Sequence, residues 1–242
     1  MVIHVYALLW NEERMLPYFF EHYDKIADKY YILDNNSTDN SYSIIKSHPK
    51  VVVNKINLQG SSVVQAAKQQ YNNIWKQSRG IADWVIICDV DEHYYHLDFR
   101  NYLEKCTSSG ITLIVPTGYE MISEVFPSSD KPLVETIRYG VRAKYMDKPQ
   151  MFNPTEIQEI NFWPGRHDAE PVGNIRKPSN MEVLLLHYKY LGLDYVNNRH
   201  SELKTGLRES DLVHGYGHQY LWGEKERREN FLKLKNESIK VL

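Results

Sequence analysis

Apolar and polar residues alternate along the first half of the chain in a pattern that predicts strands and helices in turn. Short continuous apolar runs predict strands that are covered on both faces. Residues 85–88 form such a run, and residues 2–9, 30–34 and 50–56 are predicted as the three strands before it. Residues 16–26 and 61–77, which lie between them, carry apolar side chains at helical spacing. Strands that alternate with helices of this length predict an α/β fold with a mostly parallel central sheet flanked by helices.

Polar clusters follow three of the predicted strands. Residues 11–13 read Asn-Glu-Glu after the first strand, residues 34–39 hold two aspartates after the second, and residues 89–91 read Asp-Val-Asp after the fourth. Parallel strands end at one edge of a sheet, and the ligands of α/β proteins bind there. We therefore expect all three clusters to lie at one ligand-binding edge.

The second half of the chain has a less regular pattern. Residues 111–122 and 182–191 predict two further strands, with many turn-forming residues between them. After Gly192, a polar region of helical character leads to an amphipathic tail at residues 223–242. The pattern shows no clean boundary, so we predict a single domain over residues 1–242.

Composition and charge are those of an ordinary globular protein. The 242 residues are 42% hydrophobic and carry a net charge of −2, so no general attraction to nucleic acid is expected. Cys88 and Cys106 make no disulfide framework, which favours a reducing cytoplasm. The first residues lack the pattern of a signal peptide, and no apolar stretch reaches the roughly 20 residues that span a bilayer.

Asp89 and Asp91 follow an apolar run and are two positions apart. On a strand, side chains two positions apart point the same way, so we expect both carboxylates to face one point. Close carboxylates repel one another, which makes a divalent cation such as Mn²⁺ or Mg²⁺ the expected third partner. Such pairs also occur on solvated turns, but the position after the fourth strand of an α/β series favours a metal site.

Three motifs occur in a fixed order: ALLWNEERMLPYFFEHY from residue 7, YYILDNNSTDNS from residue 30 and DWVIICDVDEHYYH from residue 83. In this order and at this spacing they resemble the nucleotide-binding half of GT-A-fold glycosyltransferases, especially the family 2 group with a D-x-D-E pattern. The resemblance covers about residues 2–125. It implies a Rossmann-like GT-A sheet that binds a nucleotide-diphospho-sugar donor, and an irregular acceptor-binding half with a helical tail from about residue 126.

The resemblance also implies roles for residues at the predicted edge. The residues expected to border the nucleotide sugar are Ala7, Asn11, Glu12, Asp34 and Asn36. Among them, Asp34 would face the base or its ribose. Asp89 and Asp91 would contact the ribose, the metal and the diphosphate, with Asp91 as the direct metal ligand. For Asn11 and Asp39, capping of a helix or turn is an equal alternative.

A later segment, LLLHYKYLG at residues 184–192, resembles a part of similar transferases. In those enzymes a histidine of this part binds the metal, and a nearby basic residue contacts the diphosphate. His187 and Lys189 share a face if the segment is extended. The resemblance therefore implies His187 as a further metal ligand and Lys189 as a diphosphate contact. A histidine that is hydrogen-bonded within the core is the alternative for His187.

Family 2 enzymes mostly invert the anomeric centre, which needs a carboxylate to take the proton from the acceptor hydroxyl. The candidates for this base are Glu120, Glu124 and Asp168. Asp168 belongs to FWPGRHDAEP, residues 162–171, whose aromatic, basic and acidic side chains suit an acceptor pocket or a lid. An ordinary polar loop is the alternative for this segment.

These features predict a metal-dependent glycosyltransferase that moves a sugar from a nucleotide-diphospho-sugar to a glycan or lipid-linked saccharide. The default donor is a uridine diphosphate sugar, and the expected setting is cell-surface polysaccharide synthesis in the cytoplasm. A non-catalytic nucleotide- or sugar-binding protein on the same fold is the main alternative. A D-x-D phosphatase is disfavoured, because that class carries its aspartates after the first strand. The tail is expected to pack on the chain, with peripheral contact to anionic lipid at the inner membrane face as the other option.

Overall fold

The chain alternates strands and helices in its first half, as the sequence pattern predicts. It is described here from a computed structural model that covers residues 1–128 and 131–242. Over these residues the strands are β1 (Ile3–Leu9), β2 (Lys29–Asp34), β3 (Val51–Lys55), β4 (Trp84–Ile87), β5 (Glu92–Tyr95), β6 (Leu113–Ile114), β7 (Thr117–Ser123), β8 (Tyr139–Arg142), β9 (Met151–Phe152), β10 (Ile157–Glu159), β11 (Val172–Gly173), β12 (Leu184–Leu191) and β13 (Ile239–Lys240). The α-helices there are α1 (Leu16–Tyr23), α2 (Ser41–Ser47), α3 (Val63–Asn73), α4 (Phe99–Ser108), α5 (Leu133–Thr136), α6 (Leu193–Gly206), α7 (Glu209–Val213) and α8 (Glu224–Glu237).

Parallel strands form the centre of the first sheet. Within the described residues the order of this sheet is β3-β2-β1-β4-β9-β6. β1 pairs in parallel with β2 and β4, and β2 pairs in parallel with β3. β9 adds to β4 in the antiparallel sense. The mostly parallel α/β fold is therefore confirmed, and the carboxyl ends of β1, β2 and β4 lie at one edge.

The two faces of the first sheet are covered by different helices. On one face, Val5 and Ala7 of β1 are buried in the same cluster as Phe19 of α1. On the other face, Tyr6 is buried in a cluster with Tyr71 of α3. Because successive side chains of a strand point to opposite faces, β1 is covered by α1 on one side and by α3 on the other. This explains why the sequence of β1 is apolar apart from His4.

A second sheet lies beside the aspartate pair and is built from later parts of the chain. Its order in the described residues is β13-β8-β7-β12-β5. β12 pairs in parallel with β7 and antiparallel with β5. In this register His187 of β12 lies opposite Glu120 of β7 and Glu92 of β5. The second sheet therefore places charged side chains next to the turn between β4 and β5.

Two predicted elements differ in the structure. Residues 111–122, predicted as one strand, hold β6 and the greater part of β7, which belong to different sheets. Pro116 lies between them, and proline has no N–H to donate to a sheet. The helix predicted at residues 61–77 ends earlier, because a 3-10 helix at Ile74–Ser78 follows α3.

The C-terminal tail packs on the same chain, as expected. Phe231 of α8 is buried in a cluster with Ile122 and Tyr190. β13 pairs with β8 in the antiparallel sense and fixes the end of the tail to the second sheet. Among the helices of residues 1–128 and 131–242, none is long and apolar enough to cross a membrane.

Candidate functional site

Hydrogen bonds from Asn11 join the carboxyl ends of β1 and β2. The backbone N–H of Asn11 donates to Ser37 Oγ at 3.0 Å, and its side-chain Oδ1 accepts from the Thr38 N–H at 2.8 Å. Asn11 has a φ of 55°, in the left-handed region that asparagine enters more readily than most residues. Two of the predicted polar clusters therefore lie together, and part of the bonding of Asn11 stabilises this turn.

Three polar residues at the end of β2 have different surroundings. Asp34 is 1% exposed, and its Oδ1 accepts from the Ser37 N–H at 3.1 Å. Asp39 accepts from two backbone N–H groups at 3.0 and 2.9 Å, so the predicted capping role fits this residue. Asn36 is exposed and has a φ of 56°. The structure therefore leaves the side chain of Asn36 open to solvent and buries Asp34 beneath the edge.

Ala7 lies away from the edge, which corrects the nucleotide contact predicted for it. Ala7 pairs with Ile32 inside the sheet and is 0% exposed. Its side chain belongs to the core that packs against α1 and has no free surface to offer a ligand. The chain reaches the edge only at the end of β1, where Asn11 and Glu12 follow.

Glu12 forms an ion pair with Arg199 of α6, a residue that no sequence pattern singled out. Arg199 also pairs with Glu202 at 2.6 Å and donates to two backbone carbonyls of the loop after β1. Burial raises the pKa of Glu12 against the opposing effect of Arg199, and the charges of Asp91 and Asp89 add to the rise. The end of β1 therefore lies within electrostatic range of the aspartate pair, so all three clusters meet at one edge.

A cavity of about 340 Å³ opens beside this ion pair. Its volume falls at the lower end of the range of small-molecule pockets, roughly 300–1,000 Å³. The cavity is lined by residues 11–14, Asp39, Tyr195, Asn198, Arg199 and Glu202. Two of the predicted nucleotide contacts, Asn11 and Glu12, thus line a space that can hold part of a small ligand.

Asp89 and Asp91 lie in a turn beyond β4 and not on a strand, which corrects the expected geometry. β4 ends at Ile87, and the Glu92 N–H donates to the carbonyl oxygen of Asp89 at 3.1 Å. The carbonyl oxygen of Asp91 accepts from the Tyr188 N–H of β12 at 2.8 Å. The turn directs the two carboxylates to different partners instead of to a single point.

Both carboxylate oxygens of Asp89 contact protein groups. Oδ1 accepts from Tyr71 Oη at 2.9 Å, and Oδ2 lies 2.7 Å from Arg166 Nη2. The buried Arg166 also lies 3.5 Å from Glu92, which pairs with Lys148. Burial raises the pKa of Glu92, but Lys148 and Arg166 outweigh this and bring it to about 2. Protein cations therefore already balance the charge of Asp89.

His187 joins Asp91 to Glu120. Its Nε2 lies 3.2 Å from Asp91 Oδ2, and its Nδ1 lies 2.9 Å from Glu120 Oε1. Burial lowers the pKa of His187, but Glu120 and Asp91 outweigh burial and raise it well above the ordinary value. Burial raises the pKa of Asp91, whereas His187 lowers it, and the net shift is downward. The structure thus brings two of the three predicted metal ligands together.

Asp91 and His187 are spaced as two neighbouring ligands of a divalent cation would be. When metal–ligand bonds are about 2.1 Å long, two neighbouring ligands lie about 3.0 Å apart, which is close to the 3.2 Å between Oδ2 and Nε2. Glu120 at Nδ1 is the kind of hydrogen-bond partner that orients a metal-bound histidine. No group of three or more His, Cys, Asp or Glu side chains in the described part of the chain is arranged to hold an ion. Water and substrate oxygens would therefore complete the coordination, as they often do for Mg²⁺.

Lys189 carries a positive charge on the same strand as His187. Both residues occupy partly exposed positions of β12. The Nζ atom of Lys189 lies over the rings of Tyr220, at 5.1 Å, and Tyr190, at 6.0 Å. Burial lowers the pKa of Lys189, but Tyr220 and other neighbours outweigh it and raise the pKa above the ordinary value. Lys189 therefore stays charged beside the Asp91 and His187 pair, where an anionic ligand could meet it.

The three candidate bases have different surroundings. Glu120 is 3% exposed and lies beneath His187. Glu124 pairs with Lys235 of α8 at 2.5 Å, and this hydrogen bond lowers the pKa of Glu124. Asp168 is exposed, and its Oδ1 accepts from the backbone N–H of the next residue at 2.8 Å. Glu124 and Asp168 are both exposed, but the carboxylate of Glu124 is held by Lys235.

Comparison with known proteins identifies the class of fold. No protein-family model and no curated protein sequence matches the chain. The fold is a mixed α/β glycosyltransferase fold. It is similar to that of S. aureus TarS, a glycosyltransferase, with a TM-score of 0.51 and 11% identity over 98% of this chain and 43% of the TarS chain. This chain therefore spans less than half the length of TarS.

Shorter TarS structures show a weaker likeness. TarS 1–349 in complex with UDP gives a TM-score of 0.49 and 10% identity, over 83% of this chain and 66% of that one. TarS 1–349 in complex with UDP-GlcNAc gives 0.41 and 11%, over 85% and 66%. At these identities the comparison establishes the fold, and the predicted family 2 membership stays a prediction.

Proposed function

We propose that the protein is a glycosyltransferase that takes a sugar from a nucleotide-diphospho-sugar and transfers it, with inversion, to a saccharide acceptor. One observation carries this proposal. The polar ends of β1, β2 and β4 meet at one edge of a glycosyltransferase fold, and His187 and Lys189 of the second sheet lie beside them. Such an edge supplies contacts for a nucleoside, a diphosphate and a cation within one site.

The nucleoside would lie along the end of the first sheet. Asn11 and Glu12 line the cavity there, and Asn36 presents an exposed amide. Asp34, buried beneath them, would contact the base or its ribose only after the residues that cover it move aside. Uridine diphosphate sugars are the first donors to test, because they are common among similar enzymes.

The diphosphate would lie next to Asp91, His187 and Lys189. Asp91 and His187 would hold Mn²⁺ or Mg²⁺, and Lys189 would contact the phosphate oxygens. When bound, the cation supplies Lewis-acid stabilisation of the negative charge that develops on the leaving diphosphate. Asp89 contributes mainly through its ordered contacts with Tyr71 and Arg166, which fix the turn.

The transfer step requires a base on the acceptor side. As the acceptor oxygen bonds to the anomeric carbon, the bond from that carbon to the diphosphate oxygen breaks, and the acceptor proton passes to a carboxylate. Asp168 is our choice for this base, because its side chain is exposed on the loop that carries Arg166. The deep position of Glu120 suits the orientation of His187 better than contact with an acceptor.

The acceptor would be a glycan or a lipid-linked saccharide in cell-surface polysaccharide synthesis. A lipid-linked acceptor would bring the protein to the inner face of the membrane. α8 offers a surface for peripheral contact, since Leu232 is 43% exposed on a helix that also exposes Arg228 and Lys233.

Thermal stabilisation by nucleotides tests the donor side of the proposal. Unfolding would be followed with UDP, GDP, ADP and their sugar conjugates, each with and without Mn²⁺ or Mg²⁺. A ligand at 100 times its Kd should stabilise the folded protein by about 2.7 kcal/mol. We expect one nucleoside diphosphate to stabilise the protein only when the metal is present.

Two substitutions make this test specific. Asp91→Asn should abolish the metal-dependent shift, whereas Asp98→Asn, at an exposed position outside the site, should leave it unchanged. If Asp91→Asn binds nucleotide and metal as tightly as the parent, the metal assignment is wrong. Binding without turnover of any donor, with acceptor extracts present, would favour a non-catalytic binding protein.

A further inference from the structure

A chain of hydrogen bonds leads from the protein surface to Asp91. Tyr145 Oη donates to Glu120 Oε1 at 2.7 Å, and the same oxygen lies 2.9 Å from His187 Nδ1. On the other side of the ring, His187 Nε2 lies 3.2 Å from Asp91 Oδ2. An ionised carboxylate only accepts hydrogen bonds, so both Tyr145 Oη and His187 Nδ1 must donate to Glu120. The proton on Nδ1 leaves Nε2 as the atom that faces Asp91.

Glu120 depends on these two donors. It is 3% exposed, and its other oxygen, Oε2, is buried without a hydrogen-bond partner among the described residues. The backbones of Glu120 and His187 are fixed opposite each other by the pairing of β7 with β12. The remaining freedom is rotation of the two side chains, which the Tyr145 hydroxyl restricts by holding the carboxylate at Oε1.

Tyr145 itself is held by the second sheet and by the predicted acceptor loop. It lies in a 3-10 turn, Lys144–Met146, that packs against Gly118 so closely that a Cβ on Gly118 would lie 2.6 Å from the Met146 carbonyl oxygen. On the other side, His167 Nδ1 lies 2.9 Å from the Tyr145 carbonyl oxygen. The side chain of Tyr145 nevertheless keeps a large free surface, since the residue is 54% exposed. Tyr145 thus connects the loop at His167 with a buried carboxylate.

We propose that Tyr145 is a positioning residue whose hydroxyl, acting through Glu120, fixes the ring of His187 so that Nε2 faces the cation and diphosphate position at Asp91. The proposal rests on the proposed function, because it assigns His187 and Asp91 to that position. Tyr145 does not touch the cation in this scheme. It limits the orientations of a ligand that does. Removal of a group bonded directly to a metal ligand, as Glu120 is to His187, commonly changes metal affinity by about 10–100-fold, and Tyr145 acts through that group.

The first test compares metal affinity in two tyrosine variants. Tyr145→Phe removes only the hydroxyl, and Tyr139→Phe removes the hydroxyl of an equally exposed tyrosine, 54%, on β8. Mn²⁺ would be titrated into each protein in the presence of UDP, with free Mn²⁺ followed by electron paramagnetic resonance. We expect the Mn²⁺ affinity to fall about tenfold in Tyr145→Phe and to stay within twofold of the parent in Tyr139→Phe.

The second test needs no metal. In protein labelled with ¹⁵N-histidine, the Nδ1–H of His187 would be identified by its absence from His187→Gln, and its exchange with water would be measured by NMR. We expect slow exchange in the parent and in Tyr139→Phe and clearly faster exchange in Tyr145→Phe. A purely packing role for Tyr145 predicts no change, because the ring remains.

The outcomes separate this inference from the proposed function. Equal Mn²⁺ affinity in parent and Tyr145→Phe overturns the positioning role, whatever the NMR shows. Unchanged exchange at His187 overturns it as well. If the parent binds no Mn²⁺ with any nucleoside diphosphate, the proposed function fails. The exchange measurement then still decides whether Tyr145 holds His187.

Discussion

Arg166 and Asp89 form an ion pair, with 2.7 Å between Nη2 and Oδ2, that connects the predicted acceptor loop to the D-x-D turn. The guanidinium of Arg166 also lies 4.0 Å from the centre of the Tyr71 ring, and Tyr71 donates to the other oxygen of Asp89. Asp89 is therefore oriented from two sides by residues distant in sequence. The ion pair therefore connects the predicted acceptor loop with the D-x-D turn.

Replacement of Arg166 by methionine should destabilise the protein. Arg166 is buried between Asp89 and Glu92, and loss of one partner leaves carboxylate charge without its cation. Removal of one member of a buried pair costs about 3–5 kcal/mol, and the partial exposure of Asp89 reduces this to about 2–3 kcal/mol. Urea unfolding measures the change, and Arg228→Met on the exposed face of α8 is the control. A loss below about 0.5 kcal/mol would show that the pair is not structural.

Gly118→Ala should disturb the turn that carries Tyr145. A Cβ at this position would lie 2.6 Å from the Met146 carbonyl oxygen and closer still to the Met146 side chain, so the backbone must shift. Overpacking of this kind costs about 1–3 kcal/mol, and a clash with backbone lies at the upper end. Gly206→Ala is the matched control, since its nearest neighbour would be 3.7 Å away. Equal melting temperatures for the two variants would contradict the expectation.

Acid should destabilise the protein through His22. Its ring stacks on that of His93, with 4.5 Å between centres, and its Nε2 donates to the Tyr94 carbonyl at 2.8 Å. Burial lowers the pKa of His22 to about 4. In the unfolded chain the histidine has a pKa of about 6.5 and takes up a proton near that pH. In the folded protein His22 takes up this proton only near pH 4. Stability therefore falls as the pH drops from 6.5 towards 4, by about 1.4 kcal/mol per pH unit for this group.

The contribution of His22 can be isolated by substitution. Urea unfolding at pH 6.5 and 5.0 should show about 1.6 kcal/mol more loss in the parent than in His22→Gln, which cannot take up the proton. Glutamine retains a donor for the Tyr94 carbonyl, so the comparison isolates the charge. The same pH dependence in both proteins would assign acid sensitivity to other groups.

Lys189→Gln should weaken the binding of a nucleoside diphosphate. The Nζ atom of Lys189 lies over two tyrosine rings near Asp91, and its charge would oppose that of the diphosphate. We expect about a tenfold loss of UDP affinity, which corresponds to about 1.4 kcal/mol, and a weaker dependence of binding on salt. Isothermal titration calorimetry measures both, with Lys233→Gln on the exposed side of α8 as the control. An unchanged UDP affinity in Lys189→Gln would show that Lys189 does not contact the diphosphate.

The edge of the first sheet could be predicted from sequence because its signals are local. Apolar runs mark β1, β2 and β4, and polar residues follow each of them directly. The turn at Asp89 and Asp91 was predicted as extended, because an i, i+2 spacing does not reveal where a strand stops. The 3-10 continuation of α3 was missed for a similar reason, since a 3-10 turn keeps nearly the same apolar spacing.

The partners of the site residues could not be predicted. Tyr71, Arg166 and Arg199 contact Asp89 or Glu12 from distant parts of the chain, so no local sequence pattern connects them with the edge. Their roles follow from the tertiary packing of α3, the acceptor loop and α6 against the sheet edge. The interior position of Ala7 follows from its pairing with Ile32 in the sheet, which the motif does not contain.

The turn that holds Asp89 and Asp91 is the joint between the two sheets, because β4 belongs to the first and β5 to the second. Asn11 follows β1 and Asp34 ends β2, both in the first sheet's part of the chain, whereas the carbonyl oxygen of Asp91 accepts a hydrogen bond from β12, the strand of His187. A ligand that contacts the residues of both sheets would hold the two sheets at a fixed angle. Any change in the angle between the sheets would alter the distance from the nucleoside contacts to the diphosphate contacts. The protein would therefore discriminate between donors by their length as well as by their chemistry.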